Sequence, residues 1–105
     1  MNHHDEASLR SAISRAYYGV FCISRNKKDF KNYKLKKGEN IHRIIINKYK
    51  NSHDNNEKIV GKYLDDLRRN RNYSDYDEDK TIDFELAQRV LIKTKKILDN
   101  LGIKL

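Results

Sequence analysis

Leu9-Arg10-Ser11-Ala12-Ile13-Ser14-Arg15-Ala16-Tyr17-Tyr18-Gly19-Val20-Phe21-Cys22 is the stretch that decides the fold. Leu9, Ala12, Ile13, Ala16, Tyr17, Val20 and Phe21 recur at three- and four-residue steps. In an α-helix that spacing puts them on one continuous apolar face. The helix is expected over about residues 5–26, with Asp5 as its cap. A second face carries Ser11, Ser14, Arg15, Tyr18 and Cys22 and is suited to meeting another subunit. The pattern is therefore two-sided, wider than a surface helix needs.

The same period returns three times downstream. A basic connector over 27–38 ends at Gly38, with Phe30, Tyr33 and Leu35 as anchors. A second helix is expected over about 39–51, turning Ile41, Ile44, Ile45 and Tyr49 inward. The polar run Asn51-Ser52-His53-Asp54-Asn55-Asn56 reads as a turn. A third helix over about 56–73 would bury Ile59, Val60, Tyr63, Leu64 and Leu67. Residues 74–82 read as a loop holding Asp75, Asp77, Glu78 and Asp79. Asp83 then caps a fourth helix with Leu86, Ala87, Val90, Leu91, Thr94, Ile97, Leu98 and Leu101 on its face, and Gly102 stops it. There are no heptads and no internal repeat. Four amphipathic helices bury their stripes best as an all-α, up-and-down bundle.

Composition agrees. The chain has 105 residues and no proline, and short-stranded β folds usually carry turn prolines. A chain of this length supports one core and one domain, spanning 1–105. No apolar run approaches a membrane span, and no basic start leads into an apolar stretch as a secretory leader requires. The one cysteine, Cys22, excludes an internal disulfide and a Cys-based zinc site. The cytoplasm is the expected compartment, with no metal, no cofactor and no membrane partner. The formal net charge is +8, and residues 25–50 carry all of it, with ten Lys or Arg against two acids. A local basic excess suits an anionic partner such as nucleic acid, with affinity that falls steeply with salt. The sequence's Lys, Asn and Ile bias gives a compositional alternative.

Phosphate-loop, HExxH, CxxC and GxSxG patterns are missing. His3 and His4 fall in a terminus and His53 in a polar turn. His42 sits beside the Ile41/Ile44/Ile45 face, where a structural role at a helix edge competes with that of a catalytic base. The most unusual segment is Leu67-Arg68-Arg69-Asn70-Arg71-Asn72-Tyr73-Ser74-Asp75-Tyr76-Asp77. Three arginines crowd the expected end of the third helix, where cations suit the helix dipole. An arginine fork also binds phosphate bidentately, and tyrosine stacks on a base or donates to a phosphate oxygen. Asp75 is placed to pair with Arg71.

Two of these pieces resemble the HEPN domains, a small helical family. Leu9 to Cys22, with its Ser14-Arg15-Ala16-Tyr17-Tyr18 core, is similar to the family's opening motif. Arg71-Asn72-Tyr73-Ser74-Asp75-Tyr76 resembles the second motif of one branch: Arg, two variable residues, a small residue, Asp-Tyr. Ile41-His42 falls where such proteins often place a His, and the resemblance covers roughly residues 7–101. It implies a helical bundle, commonly dimeric, in toxin–antitoxin, phage-defence or RNA-processing systems, with RNA or a nucleotide-bearing molecule, an antitoxin or a nucleotidyltransferase as partner. Catalytic members are metal-independent ribonucleases that use an Arg followed four to six residues later by a His. No His follows Arg68, Arg69 or Arg71 at that spacing. Tyr76 stands there instead, and a phenol with an ordinary pKa of about 10 is poorly matched to proton transfer near neutrality. On the resemblance, Arg71, Tyr76 and Asp75 form the catalytic set. Arg15, Tyr18, Ser74, Arg68, Arg69 and His42 form the ligand or interface set, and Tyr76 is a candidate for nucleotidylation. Relatives usually carry a further helix upstream of the Arg-Ala-Tyr-Tyr helix. Only about six residues precede it here, so that helix is expected to be short or missing. The alternative is a non-catalytic dimeric binding or regulatory module.

Overall fold

A computed structural model of the chain describes residues 3–28, 30, 33–76 and 84–103, and of 3–5 and 73–76 the backbone only. The fold is an all-α bundle of four helices: α1 (His3–Lys27), α2 (Ile41–Lys50), α3 (Asn55–Tyr76) and α4 (Phe84–Asn100).

Local chemistry sets most of these ends. Asn40, in extended backbone, accepts from the amides of His42 at 2.9 Å and Arg43 at 3.3 Å, so α2 starts at Ile41. Asp54 does the same for Asn56 and Glu57 and opens α3. The close of α4 is a Schellman motif: Ile103 N–H donates to the Leu98 carbonyl and Gly102 N–H to that of Asp99. That closure needs Gly102 at φ +77°, the left-handed region glycine enters without cost. Two expected ends move. Asp5 lies inside α1 rather than capping it, because the helix already runs from His3. Residues 74–76 belong to α3 and not to a loop, since no Gly or Pro interrupts the segment after Gly61. Asp83, the expected cap of α4, lies outside the described residues, as do Asp77, Glu78 and Asp79.

Contacts give the helix directions. Tyr17 and Tyr18 of α1 meet the late part of α3, whereas Lys28, just past α1, pairs with Glu57 early in α3. Lys50 at the end of α2 meets Asp65, while the start of α2 reaches Arg68 and Arg71. Lys93 and Lys96 of α4 meet Asp66 and Tyr63. So α3 runs against all three other helices and touches each of them. Since α1 and α2 both run against α3, α2 runs the same way as α1, and the expected up-and-down order holds from α2 to α4 and not between α1 and α2.

Ile13, Tyr17, Val20 and Phe21 of α1 pack with Ile45, Ile46 and Tyr49 of α2. Val60, Leu64 and Leu67 of α3 and Val90, Ile97 and Leu98 of α4 complete the core. Ile46 is buried although the α2 pattern did not single it out, and Ile41 and Ile44 are only half-buried. Ile59 and Leu91, expected inside, are exposed, Leu91 to 63%. Each sits at the edge of a stripe wider than the neighbouring helices cover. At Gly61 α3 passes so close to α2 that a Cβ would stand 2.5 Å from the Lys50 amide nitrogen. The Tyr49 hydroxyl is buried and donates to the Ser24 carbonyl at 2.7 Å. Burial foremost, then the Glu57 charge, pushes that phenol up to about 12.

Candidate functional site

The late part of α3, the middle of α1 and the start of α2 converge on one polar cluster. On α1, Tyr17 points into the core and the next residue, Tyr18, is turned outward and partly exposed. On α3, Arg68 and Arg71 lie three positions apart, so they neighbour each other on one helix face. The Arg71 guanidinium carbon lies 4.7 Å from the centre of the Tyr18 ring, a cation–π contact. His42 is the second residue of α2. Its ring stacks on Phe21 at 4.3 Å between centroids and meets the Tyr18 ring edge-on at 6.2 Å. The Tyr17 hydroxyl lies 2.6 Å from His42 Nδ1.

The electrostatics follow from burial and from the two arginines. Burial pushes the Tyr17 phenol far above its ordinary value, although Arg68 and Arg71 pull the other way. Burial also lowers His42, and here the two arginine charges act in the same direction. Near neutrality the cluster therefore holds two cations, a neutral imidazole and a neutral phenol. Arg68 has no ion-pair partner among the described residues. Together these groups offer N–H and O–H donors and positive charge, the means by which proteins hold a phosphate oxygen.

The other expected site residues divide. Arg69 faces away, two-thirds exposed, and its guanidinium pairs with Asp65 at 3.1 Å. Asp65 also binds Lys50 at 2.7 Å, and that hydrogen bond, more than the Arg69 charge, holds its carboxyl below the usual range. Arg15 is exposed on α1. Ser74, Asp75 and Tyr76 occupy the last turn of α3, and their side chains lie outside the described residues. Along an α-helix Asp75 comes about 40° round from Arg71 and Tyr76 about 140°, so Arg71 shares a face with Asp75 and not with Tyr76. The dipole explanation for the arginines fails, because the last turn of α3 contains no basic residue. Among the described residues no group of His, Cys, Asp or Glu is arranged to hold a metal ion, and no helix is long and apolar enough to cross a membrane.

Tyr17 lies in the core as its spacing marks it, and sequence reasoning missed only its part in this cluster. The available signal was its hydroxyl: a tyrosine on a fully buried stripe needs a polar partner for its O–H. Compared with family models, curated proteins and solved structures, the chain matches none, and the HEPN resemblance rests on its two motifs alone.

Proposed function

We propose that the chain is a HEPN-like domain of a toxin–antitoxin or phage-defence type system, working in the cytoplasm on RNA as a metal-independent endoribonuclease with a degenerate motif. The observation that carries this reading is the Arg71–Tyr18 contact at 4.7 Å. It joins the two separate motifs into a single cationic, aromatic patch, and such a patch suits a single-stranded phosphate backbone and its bases. Arg71, with Arg68 beside it, supplies charge where a phosphorane would develop. Asp75 orients Arg71, and Tyr76 is the nucleotidylation target of a partner nucleotidyltransferase. The reading includes a homodimer, supported by three large apolar side chains exposed on α4, Phe84, Leu91 and Ile92. Phe84 and Leu91 also line a groove of about 130 Å³ between α1 and α4.

Purified protein incubated with total RNA in EDTA tests the enzyme. Cleavage is expected, and Arg71→Ala should remove it by at least about a hundredfold while leaving the helical circular dichroism intact. A mutant as active as wild type would sink the catalytic assignment. The second reading is a non-catalytic dimeric module that binds RNA or a regulatory partner. Arg69 held by Asp65 favours it, because one of the three arginines then serves the scaffold. Under that reading RNA is bound and not cut.

A further inference from the structure

His42 is fixed more firmly than an edge histidine on a helix requires. Phe21 stacks on its ring, and Tyr17 holds Nδ1 at 2.6 Å. The Tyr17 phenol is buried, so its proton needs an acceptor, and Nδ1 is the acceptor within reach. With Tyr17 donating, the imidazole proton is assigned to Nε2 from the hydrogen-bond network. Nε2 has no hydrogen-bond partner among the described residues. The groups facing the ring are Tyr17 and Tyr18 from α1 and Arg68 and Arg71 from α3, with Asp65 acting on Tyr17. An N–H donor thus lies within the field of two guanidinium groups, one of them seated on the neighbouring Tyr18 ring, and no carboxylate among the described residues acts on the imidazole.

We infer that His42, through Nε2–H, is a direct ligand of a phosphate group held jointly with Arg68 and Arg71, and that Tyr17 is the positioning residue that selects its tautomer. The inference rests on the proposed action on RNA and names a ligating atom for it. The shared chemistry is a phosphate oxygen, from a backbone phosphodiester or from the terminal phosphate of a nucleotide. A bound anion offsets the two arginine charges and raises the proton affinity of the imidazole. As pH falls His42 becomes an imidazolium, and the Tyr17 hydroxyl turns to accept from Nδ1–H. Phosphate affinity should therefore rise as pH falls through the histidine range.

Nitrogen-15 spectra of the histidine side chains test this on the intact chain. The free protein is expected to show His42 protonated at Nε2. Three probes are then titrated: a short oligouridylate with unphosphorylated ends, uridine monophosphate, and inorganic phosphate. A shift of Nε2 with the oligomer assigns the backbone phosphodiester, and a shift with the monophosphate alone assigns a terminal phosphate. Oligomer affinity should rise on the order of tenfold from about pH 7.5 to 5.5. His42→Gln keeps a neutral N–H and should abolish that rise. Tyr17→Phe should mix the two tautomers and weaken binding. A free protein protonated at Nδ1 overturns the inference, as does Nε2 moved by inorganic phosphate alone. RNA binding with Nε2 unmoved and with the wild-type pH dependence intact in His42→Gln also overturns it, while leaving the RNA reading in place. No RNA binding by wild type removes the RNA reading as well. If His42→Gln fails to fold, the wild-type titrations still decide.

Discussion

Tyr17 and Tyr49 put the same hydroxyl to different uses. Tyr49 donates to a backbone carbonyl of α1 and has no further consequence beyond packing. Tyr17 meets a titratable ring, so its environment is coupled to pH. His42 is held below its ordinary value, and the unfolded chain takes up its proton first as pH falls. Stability should therefore drop as pH falls through about 6.5, the unfolded value. Urea midpoints at about pH 7.5 and 5.5 measure this. His42→Gln should flatten the slope, and an unchanged slope would refute the assignment. Glu57, lowered by hydrogen bonds from Lys28 and Ser52, and Asp65, lowered by Lys50, act in more acid solution. Their stabilisation is present above the unfolded carboxylate values and is lost as pH falls through the folded ones. The sequence marked Tyr17 as core and His42 as a helix-edge residue, and both placements hold. Their partnership was not legible, because periodicity says which face a residue takes and nothing about which tip it meets 25 positions away.

At the scale of elements, the three- and four-residue periods found all four helices, and Gly102 marked a true stop. Errors cluster where a stripe is wider than its partners, as at Ile59 and Leu91. They also arise where polar residues continue a helix, as at 74–76, since Asn, Ser and Asp favour caps without forbidding the interior. Gly61 was invisible as a contact because nothing in α3's own sequence reports the approach of α2. In Gly61→Ala the new methyl meets the Lys50 backbone, at 2.5 Å from its nitrogen and 3.0 Å from its Cα. Overpacking costs about 1–3 kcal/mol, and the gain in helix propensity of about 1 kcal/mol only partly offsets it. A lower urea midpoint with unchanged slope is expected. A variant as stable as wild type would show that the two helices can separate freely at this point.

For the whole molecule, the charge profile proved a poor guide to the site. The basic excess of residues 25–50 lies in the connector and α2, whereas Arg68 and Arg71 come from the rest of the chain, whose charges, theirs included, cancel. Only His42 of the cluster comes from the basic segment. The homodimer of the proposed reading makes a separate prediction. Leu91 is mostly exposed, so Leu91→Glu should leave the monomer folded while shifting sedimentation from dimer to monomer. Identical sedimentation of variant and wild type would remove this face as the interface.

The central place of α3 also bears on how the chain folds. The turn between α2 and α3 is only a few residues long, so bringing these two helices together closes a short loop at little entropic cost. Contacts of α1 with α3 and α4 close much longer loops and carry a larger closure cost. Substitutions at the α2–α3 seam should therefore act mainly on the folding rate, and those on α1 mainly on the unfolding rate. The cluster around His42 draws on both sets, so it is completed only when α1 docks, and a chain with α1 undocked carries the two arginines without their aromatic wall.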